Sequence, residues 1–268
     1  MEHTLSGRTI VVTRPEAQAA ALCEGIAARG GRALRFPVLG IAAPEDETAL
    51  IAVADRLDTF DLAFFVSPNA VEYALRPILA RRDWPSALTV ATVGGGSQHA
   101  LHRMGFAHVV APLSGFDSEA VLALPEFSAQ AVRGRRVIVF RGDGGRDLLG
   151  EVLTRRGAAV EYVTAYRRYC PQADPTPLLE AARDGALDAI VLTSSEGVRN
   201  LVHMLGGDCA GLCDVTVFVP HPRIAGFALD AGFRRVVETD AGDAGILSGL
   251  ECGLAARDPA GAGGAGSF

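Results

Sequence analysis

Short turns rich in arginine, hydroxyl and glycine residues recur along this sequence and suit an anionic ligand. Each turn follows a predicted strand and precedes a predicted helix, so its backbone N–H groups lie at the positive end of a helix dipole. Helix capping explains Ser, Asn and Gly in any one turn but does not require arginine. We interpret these turns as a binding set that comprises Arg14, Ser67-Pro68-Asn69-Ala70, Gly94, Arg141-Gly142, Gly145-Arg146, Ser194-Ser195, His221 and Arg223.

Tyr166 lies beside two arginines, Arg167 and Arg168, in a stretch that has the composition of a strand. A tyrosine in a strand commonly packs in a core or an interface. The neighbouring arginines allow a second interpretation, in which the tyrosine is exposed toward an anionic ligand. His221 also has two interpretations, because a histidine between a strand and Pro222 suits a structural role as well as a functional one.

Several other kinds of site are not supported by the sequence. Gly94-Gly95-Gly96 is similar to a dinucleotide-binding loop, but His99 replaces the last glycine of that motif and no suitably placed acidic residue follows. Neither a P-loop motif nor a Gly-x-Ser-x-Gly motif occurs. Cys209 and Cys213 could share a helix face, but no second Cys or His pair accompanies them. We therefore do not expect a zinc site.

The composition indicates a folded, acidic protein of 268 residues, with a net charge of −6 and 49% hydrophobic residues. This length suits two domains of about 100–150 residues each. The acidic balance argues against nucleic acid as a partner. No apolar run approaches the roughly 18 residues of a membrane-spanning helix, and no secretory signal is evident. The five scattered cysteines are typical of reduced thiols, so we expect a cytoplasmic protein.

An internal duplication organises the elements that carry these turns. Segment 7–14 resembles segment 134–141, and Gly105-Phe106 corresponds to Gly232-Phe233, both at an offset of 127 residues (141 minus 14, 232 minus 105). This period is far longer than the roughly 20–50 residues of a solenoid repeat. It predicts two related half-molecules, and we expect the ligand in a cleft between two lobes.

Strands and helices alternate in each half, which predicts α/β lobes with parallel sheets. Glycine follows the last turn of several helices, as expected at a helix C-terminus. The predicted strands are 9–13, 62–66, 89–93, 136–140, 189–193 and 215–219, with extended stretches at 33–41 and 159–169. The predicted helices are 16–29, 97–104, 146–156 and 223–231, together with one after Ser67 and one after Ser194.

The ordered motifs of residues 8–252 resemble those of the uroporphyrinogen-III synthase family. No single motif is diagnostic, but the set extends through the whole chain. One departure is the turn Pro220–Ala225, where many members have a hydroxyl-rich turn, so we expect Arg223 to supply charge instead. The matching segments are Val12–Pro15, Phe65–Val71, Thr92–Gly94, Asp117–Glu119, Arg141–Arg146, Arg156–Ala158, Tyr166–Arg168 and Leu192–Ser195.

This resemblance implies the fold and its domain boundaries. Two flavodoxin-like α/β lobes with parallel sheets are expected, joined by a two-stranded β-ladder. The first lobe combines residues 1–36 with 168–256, and the second spans residues 40–165. Residues 33–41 and 159–169 are the expected linker strands, and residues 257–268 form a disordered tail.

The resemblance also implies the reaction. Linear hydroxymethylbilane would lose its hydroxyl as water and close with inversion of ring D to give uroporphyrinogen III, without cofactor or metal. Tyr166 matches the family tyrosine implicated in hydroxyl departure, and Ser118 joins the substrate-binding set. A monomer is expected, with transient contact with the preceding pathway enzyme and with no nucleic acid or membrane partner. The alternative is a binding or regulatory module for an anionic ligand without catalysis.

Overall fold

The computed structural model describes residues 3–115, 117–144, 147–207, 209 and 211–255. The predicted tail, 257–268, and the predicted site residues Gly145 and Arg146 lie outside these described residues. The chain divides into two compact units. Unit 1 comprises the residues up to Gly40 and those from Tyr169 onward, and unit 2 spans Ile41–Arg168.

The strands and helices alternate as the sequence predicts. In the described residues the strands are β1 Thr9–Val12, β2 Arg32–Arg35, β3 Gly40–Ala42, β4 Leu62–Phe65, β5 Thr89–Thr92, β6 Arg136–Gly142, β7 Ala159–Tyr169, β8 Ala189–Val191, β9 Thr216–Val219 and β10 Val236–Glu238. The α-helices are α1 Glu16–Ala28, α2 Thr48–Ala54, α3 Pro68–Arg81, α4 Gly95–Arg103, α5 Ser118–Leu122, α6 Ala129–Val132, α7 Leu148–Arg155, α8 Thr176–Arg183, α9 Ser195–Met204, α10 Pro222–Asp230 and α11 Gly242–Ala255. Short 3₁₀ helices span Leu57–Thr59 and Pro125–Phe127.

Unit 1 is built on a parallel sheet with the strand order β10-β9-β8-β1-β2. Counted within the unit, this is the flavodoxin-like order 2-1-3-4-5. The β1 strand is buried along its whole length, which explains its β-branched composition. Helices cover both faces of the sheet, because Leu22 of α1 and Leu250 of α11 pack in one core cluster while Leu201 of α9 and Ala228 of α10 pack in another.

Unit 2 is built on a sheet with the strand order β3-β7-β6-β4-β5. The pairs β7–β6, β6–β4 and β4–β5 are parallel. Phe65 of β4 and Phe140 of β6 stack with ring centroids 4.9 Å apart, and they belong to the core cluster under α3 and α4. Phe127 and Leu153 belong to the cluster on the other face, so this sheet is also covered on both sides.

The duplication is preserved in the hydrogen-bond register. In unit 1, Ile10 pairs with Ala189; in unit 2, Val137 pairs with Leu62, and each residue of this pair lies 127 positions from its counterpart. The same shift relates β1–β2 to β6–β7 and β8–β9 to β4–β5. Each sheet therefore combines the first two strands of one repeat with the last three strands of the other repeat.

A carboxylate joins the two repeats in each sheet. Asp61 accepts hydrogen bonds from Arg135 Nη1 at 2.7 Å and from the Arg136 backbone N–H at 2.8 Å. Asp188 accepts the equivalent bonds from Arg8 at 2.9 Å and from the Thr9 N–H at 2.8 Å. These contacts tie the start of one strand to the loop that precedes its neighbour.

The 33–41 stretch is not one linker strand, contrary to the sequence prediction. Its first part is β2 in the sheet of unit 1, and its end is β3, next to β7 in the sheet of unit 2. Between them Phe36 and Val38 donate backbone hydrogen bonds to Val12 and Thr13. The Phe36 bond joins residues 24 positions apart and the Val38 bond joins residues 25 positions apart, so the regular ladder ends between them, at Pro37. The other stretch, 159–169, forms β7 with the predicted bounds.

We expect the Asp61→Asn variant to lose stability mainly at neutral pH. The Arg136 N–H, followed by the Arg135 guanidinium, lowers the pKa of Asp61 below its ordinary value. A carboxyl whose pKa is lowered by folding stabilises the fold above its unfolded pKa of about 4, and this contribution is lost as pH falls through the folded pKa. Urea unfolding between pH 3 and pH 7 should therefore show a smaller pH dependence in the variant.

Asp214→Asn is the matched control for this prediction. Asp214 faces Arg234 at 3.1 Å, but both side chains are at least 70% exposed. Exposed ion pairs of this kind contribute about 0–1 kcal/mol. If the unfolding free energy of Asp61→Asn depended on pH as strongly as that of the wild type, the contacts of Asp61 with Arg135 and Arg136 would add nothing to stability.

Candidate functional site

The carboxyl edge of the unit 2 sheet carries Ser67, two residues after the end of β4. Ser67 Oγ accepts the Ala70 N–H at 3.1 Å and so caps α3, whose first residue is Pro68, as predicted. The Ser67 hydroxyl also lies 3.2 Å from the Tyr166 hydroxyl. Since the Ser67 oxygen already accepts from Ala70, its hydrogen is available to the Tyr166 oxygen.

Tyr166 is buried, with 2% of its surface exposed, which agrees with the core-packing interpretation, and the interpretation of an exposed tyrosine is wrong. Along β7, Tyr162 and Thr164 are exposed while Val163 and Ala165 are buried, in the alternation expected of a strand. Tyr166 breaks this alternation because the register with β6 shifts: Arg141 pairs with Thr164, but Gly142 pairs with Tyr166. The resulting bulge turns Tyr166 to the face that α3 covers.

A cavity of about 250 Å³ lies at this edge of the sheet. Four residues predicted from the sequence line it: Ser118, Arg141, Gly142 and Tyr166. Sequence reasoning missed other lining residues, among them Asp117, Gly144, Tyr162 and Arg168. The structure therefore brings the tyrosine, an arginine and hydroxyl groups of unit 2 into one place.

Arg141 lines this cavity and is largely buried, with 18% of its side chain exposed. Its guanidinium lies 4.7 Å from the centre of the Tyr162 ring and forms an ion pair with Asp147. Burial, followed by the charge of Asp147, raises the pKa of the Tyr162 phenol above its ordinary value, so the phenol is neutral at pH 7. Tyr162 could have been found from the sequence, because alternation places it on the exposed face of the strand.

Arg14 occupies the equivalent position in unit 1, at the end of β1. Its side chain is 16% exposed and forms an ion pair with Asp243 in the first turn of α11. Thr13, one residue earlier, donates its hydroxyl to the Val191 carbonyl at 2.6 Å. Both arginines of the repeat are thus held by a carboxylate, although the two aspartates are not equivalent in sequence.

The polar turns that open α9 and α10 also lie at the carboxyl edge of the unit 1 sheet. Ser194 Oγ accepts the Gly197 N–H at 2.9 Å. The Ser195 Oγ is buried, and the residues that the structure describes offer it no hydrogen-bond partner. His221 Nδ1 accepts the Arg223 N–H at 3.0 Å, so the imidazole caps α10.

The remaining predicted residues are Gly94 and Asn69. Gly94 directly precedes α4. Because glycine has no side chain, it does not cap the first N–H groups of this helix. Asn69 is the second residue of α3. Neither residue is among the described residues that line the cavity with Tyr166.

A larger cavity of about 710 Å³ lies at the amino end of β5. Trp84, His102 and Phe106 line it, and none of the predicted site residues that the structure describes does so. Within the described residues, no group of three or more His, Cys, Asp or Glu side chains could hold a metal ion. No helix in that same part of the chain has the length and apolar character needed to cross a bilayer.

Several known proteins that resemble this chain carry the same description. The family model described as uroporphyrinogen-III synthase HemD matches residues 20–247. The uroporphyrinogen-III synthase of Salmonella typhimurium is 34% identical over 197 residues, which are 72% of this chain and 78% of that protein. The uroporphyrinogen-III synthase of Escherichia coli is 29% identical over 240 residues, which are 88% of this chain and 96% of that protein.

Solved structures support the fold. A mutant uroporphyrinogen III synthase from Thermus thermophilus has a TM-score of 0.58 at 18% identity, covering 93% of this chain and all of that one. The uroporphyrinogen-III synthetase of Helicobacter pylori has a TM-score of 0.57 at 15% identity, with the same coverage. These matches confirm the predicted α/β fold, and the relatives do not favour a module without catalysis. Since the family model extends over most of both units, the chain belongs to the uroporphyrinogen-III synthase family.

Proposed function

We propose that this cyclising lyase converts hydroxymethylbilane to uroporphyrinogen III, with loss of water and inversion of ring D, as one step of tetrapyrrole (haem) biosynthesis. The observation that carries the residue assignment is the Ser67–Tyr166 hydroxyl pair at a cavity that also presents Arg141. The substrate is a linear tetrapyrrole rich in carboxylates, which suits a site of arginines, hydroxyls and helix N-termini.

Tyr166 is the proposed proton donor. The carbon–oxygen bond of the hydroxymethyl group breaks with its electron pair on oxygen, and the Tyr166 proton completes a water molecule. Ser67 donates to the Tyr166 oxygen at 3.2 Å and so stabilises negative charge that develops there. The proton released when the macrocycle closes restores the phenol. The reactive species that remains after the hydroxyl has left also cyclises without an enzyme. The main task of the protein is therefore to favour the closure that inverts ring D.

Arg141 and Arg14 are proposed to bind substrate carboxylates, each at the edge of its own sheet. A guanidinium has five N–H donors, and the contact with an aspartate does not use all of them. The contact with the Tyr162 ring restrains the Arg141 guanidinium before substrate binds, which reduces the entropy lost on binding. The buried Ser195 hydroxyl is a further proposed donor, and Ser118, Ser194, His221, Arg223 and the N–H groups after Gly94 complete the proposed set.

The family acts on small-molecule intermediates of a pathway. We propose that the chain works in the cytoplasm as a monomer. Since linear hydroxymethylbilane closes spontaneously to the type I isomer, transient contact with the enzyme that supplies it would limit that loss.

The experiment that tests this function is the isomer ratio of the product. Linear hydroxymethylbilane is incubated with the purified chain, the products are oxidised, and type I and type III uroporphyrins are separated by chromatography. We expect type III to dominate with the protein and type I to dominate in buffer, and dialysis against EDTA should leave the ratio unchanged. Type I alone would contradict the proposed function, and a loss that only added metal restores would contradict catalysis without metal.

A further inference from the structure

Two residues next to Tyr166 stabilise the bulge between β6 and β7. We propose that Asp143 and Gly142 are positioning residues, which maintain this bulge and so direct the Tyr166 hydroxyl to Ser67 and the cavity. The inference rests on the proposed role of Tyr166 as proton donor, and it assigns Asp143 a role that the sequence did not indicate.

Asp143 contacts β7 on both sides of Arg167. Its backbone N–H donates to the Tyr166 carbonyl at 3.0 Å, and its carboxylate Oδ1 accepts the Arg168 N–H at 2.9 Å. The β6 strand ends at Gly142, so regular strand pairing supplies no acceptor beyond this point. The Asp143 side chain thus replaces the missing strand and fixes the backbone that carries Tyr166.

Gly142 provides the space that the tyrosine ring needs. A Cβ atom at this position would lie 2.7 Å from two ring carbons and 3.0 Å from the hydroxyl oxygen of Tyr166. Distances under about 3 Å require the ring to move. Because Gly142 is not among the glycines with positive φ, the requirement at this position is space and not backbone conformation.

The other repeat lacks this arrangement. The β1–β2 ladder ends at Val12–Arg35, which corresponds to Val139–Tyr162, so it stops before the positions where β6 and β7 shift. The positions that correspond to Gly142 and Tyr166 are Pro15 and Leu39 there. In the described residues, paired strands extend through this position in unit 2 alone, and the other repeat has neither the glycine nor the tyrosine.

The test compares Asp143→Ala, Asp143→Asn and Gly142→Ala with Gly226→Ala as the matched control. A Cβ atom at Gly226 would meet nothing within 4 Å, and that glycine lies within α10. The chain has four tyrosines, so ring signals of protein labelled with ¹³C at tyrosine Cζ can be assigned by removing Tyr166 with the Tyr166→Phe variant. The rate kcat and the KM for type III formation are measured on the same samples.

We expect Asp143→Ala and Gly142→Ala to shift the Tyr166 signal and to lower kcat at least about tenfold, because a misplaced catalytic group can lose up to about 10²-fold. Their KM should stay within about twofold of the wild type. Asp143→Asn keeps an oxygen that accepts the Arg168 N–H, so it should restore most of the rate and the signal. Gly226→Ala should change neither.

Two results separate this inference from the proposed function. If Tyr166→Phe retains full activity while Asp143→Ala still shifts the Tyr166 signal, the positioning contacts exist but the proposed catalytic role fails. If Tyr166→Phe is impaired while Asp143→Ala and Gly142→Ala keep both rate and signal, the positioning proposal is overturned. If Gly142→Ala fails to fold, the comparison of Asp143→Ala with Asp143→Asn tests the positioning proposal alone.

Discussion

Replacing Tyr166 with Phe is expected to lower kcat for type III formation by about 10–100-fold. A positioned proton donor contributes roughly 10²–10⁴-fold, and the low end applies because hydroxyl loss from the substrate is feasible without help. The KM should change little, since the ring stays in place and only the hydroxyl is removed. The measurement is steady-state kinetics with separation of the product isomers.

Stability must be measured on the same variant because Tyr166 is buried and bonded to Ser67. Loss of one hydrogen bond of this kind lowers the free energy of unfolding by about 0.5–1.5 kcal/mol. Tyr73→Phe is the matched control: the Tyr73 hydroxyl donates to the Ile41 carbonyl at 3.0 Å, and its ring lies 6.3 Å from that of Tyr166. It should show a similar loss of stability with unchanged kcat. If both variants keep full type III activity, proton donation comes from water, another side chain or the substrate.

Replacing Arg141 with Ala is expected to raise the KM by about 5–30-fold, which corresponds to about 1–2 kcal/mol for one charge-assisted contact. The loss has two sources. A donor to a substrate carboxylate disappears, and Asp147 is left beside an anionic ligand without its guanidinium partner. The same reasoning applies to Arg14 and Asp243, and kcat should fall less than KM rises in both cases.

The control for Arg141 is Arg76→Ala, which changes the net charge equally. Arg76 is 75% exposed and pairs with Glu72 within α3. Adding Asp147→Asn to Arg141→Ala should recover part of the lost affinity because the unpaired charge is removed. Complete loss of activity in a folded Arg141→Ala protein would show that one arginine dominates binding, and the picture of distributed contacts would be wrong.

Local patterns were sufficient to predict the elements that position the site. Buried β-branched runs predicted β1 and β6, and the Ser-Pro sequence predicted the start of α3 at Pro68. These features depend on residues that are neighbours in sequence. The period of 127 residues likewise predicted the matching elements of the two halves, because it is visible in the sequence itself.

Features that depend on distant residues were not predicted. The interpretation of an exposed Tyr166 followed from the adjacent arginines, but a register shift against β6 determines its actual face. The partners of the arginines were also missed, since Arg14 and Asp243 are 229 residues apart in sequence. The division of the 33–41 stretch between two sheets depends on pairing with different strands, which composition does not reveal.

The shared register of the two sheets has a consequence for the origin of the chain. Two identical half-length polypeptides that exchanged their first two strands would form both sheets with the same ladders, as in a strand-swapped homodimer. In such an ancestor every turn would exist twice and every substitution would act at both copies. Joining the halves into one polypeptide removes that constraint, and Tyr166 now stands where the other half has Leu39. Fusion thus permits the proposed proton donor in one half and an aliphatic side chain at the equivalent position of the other.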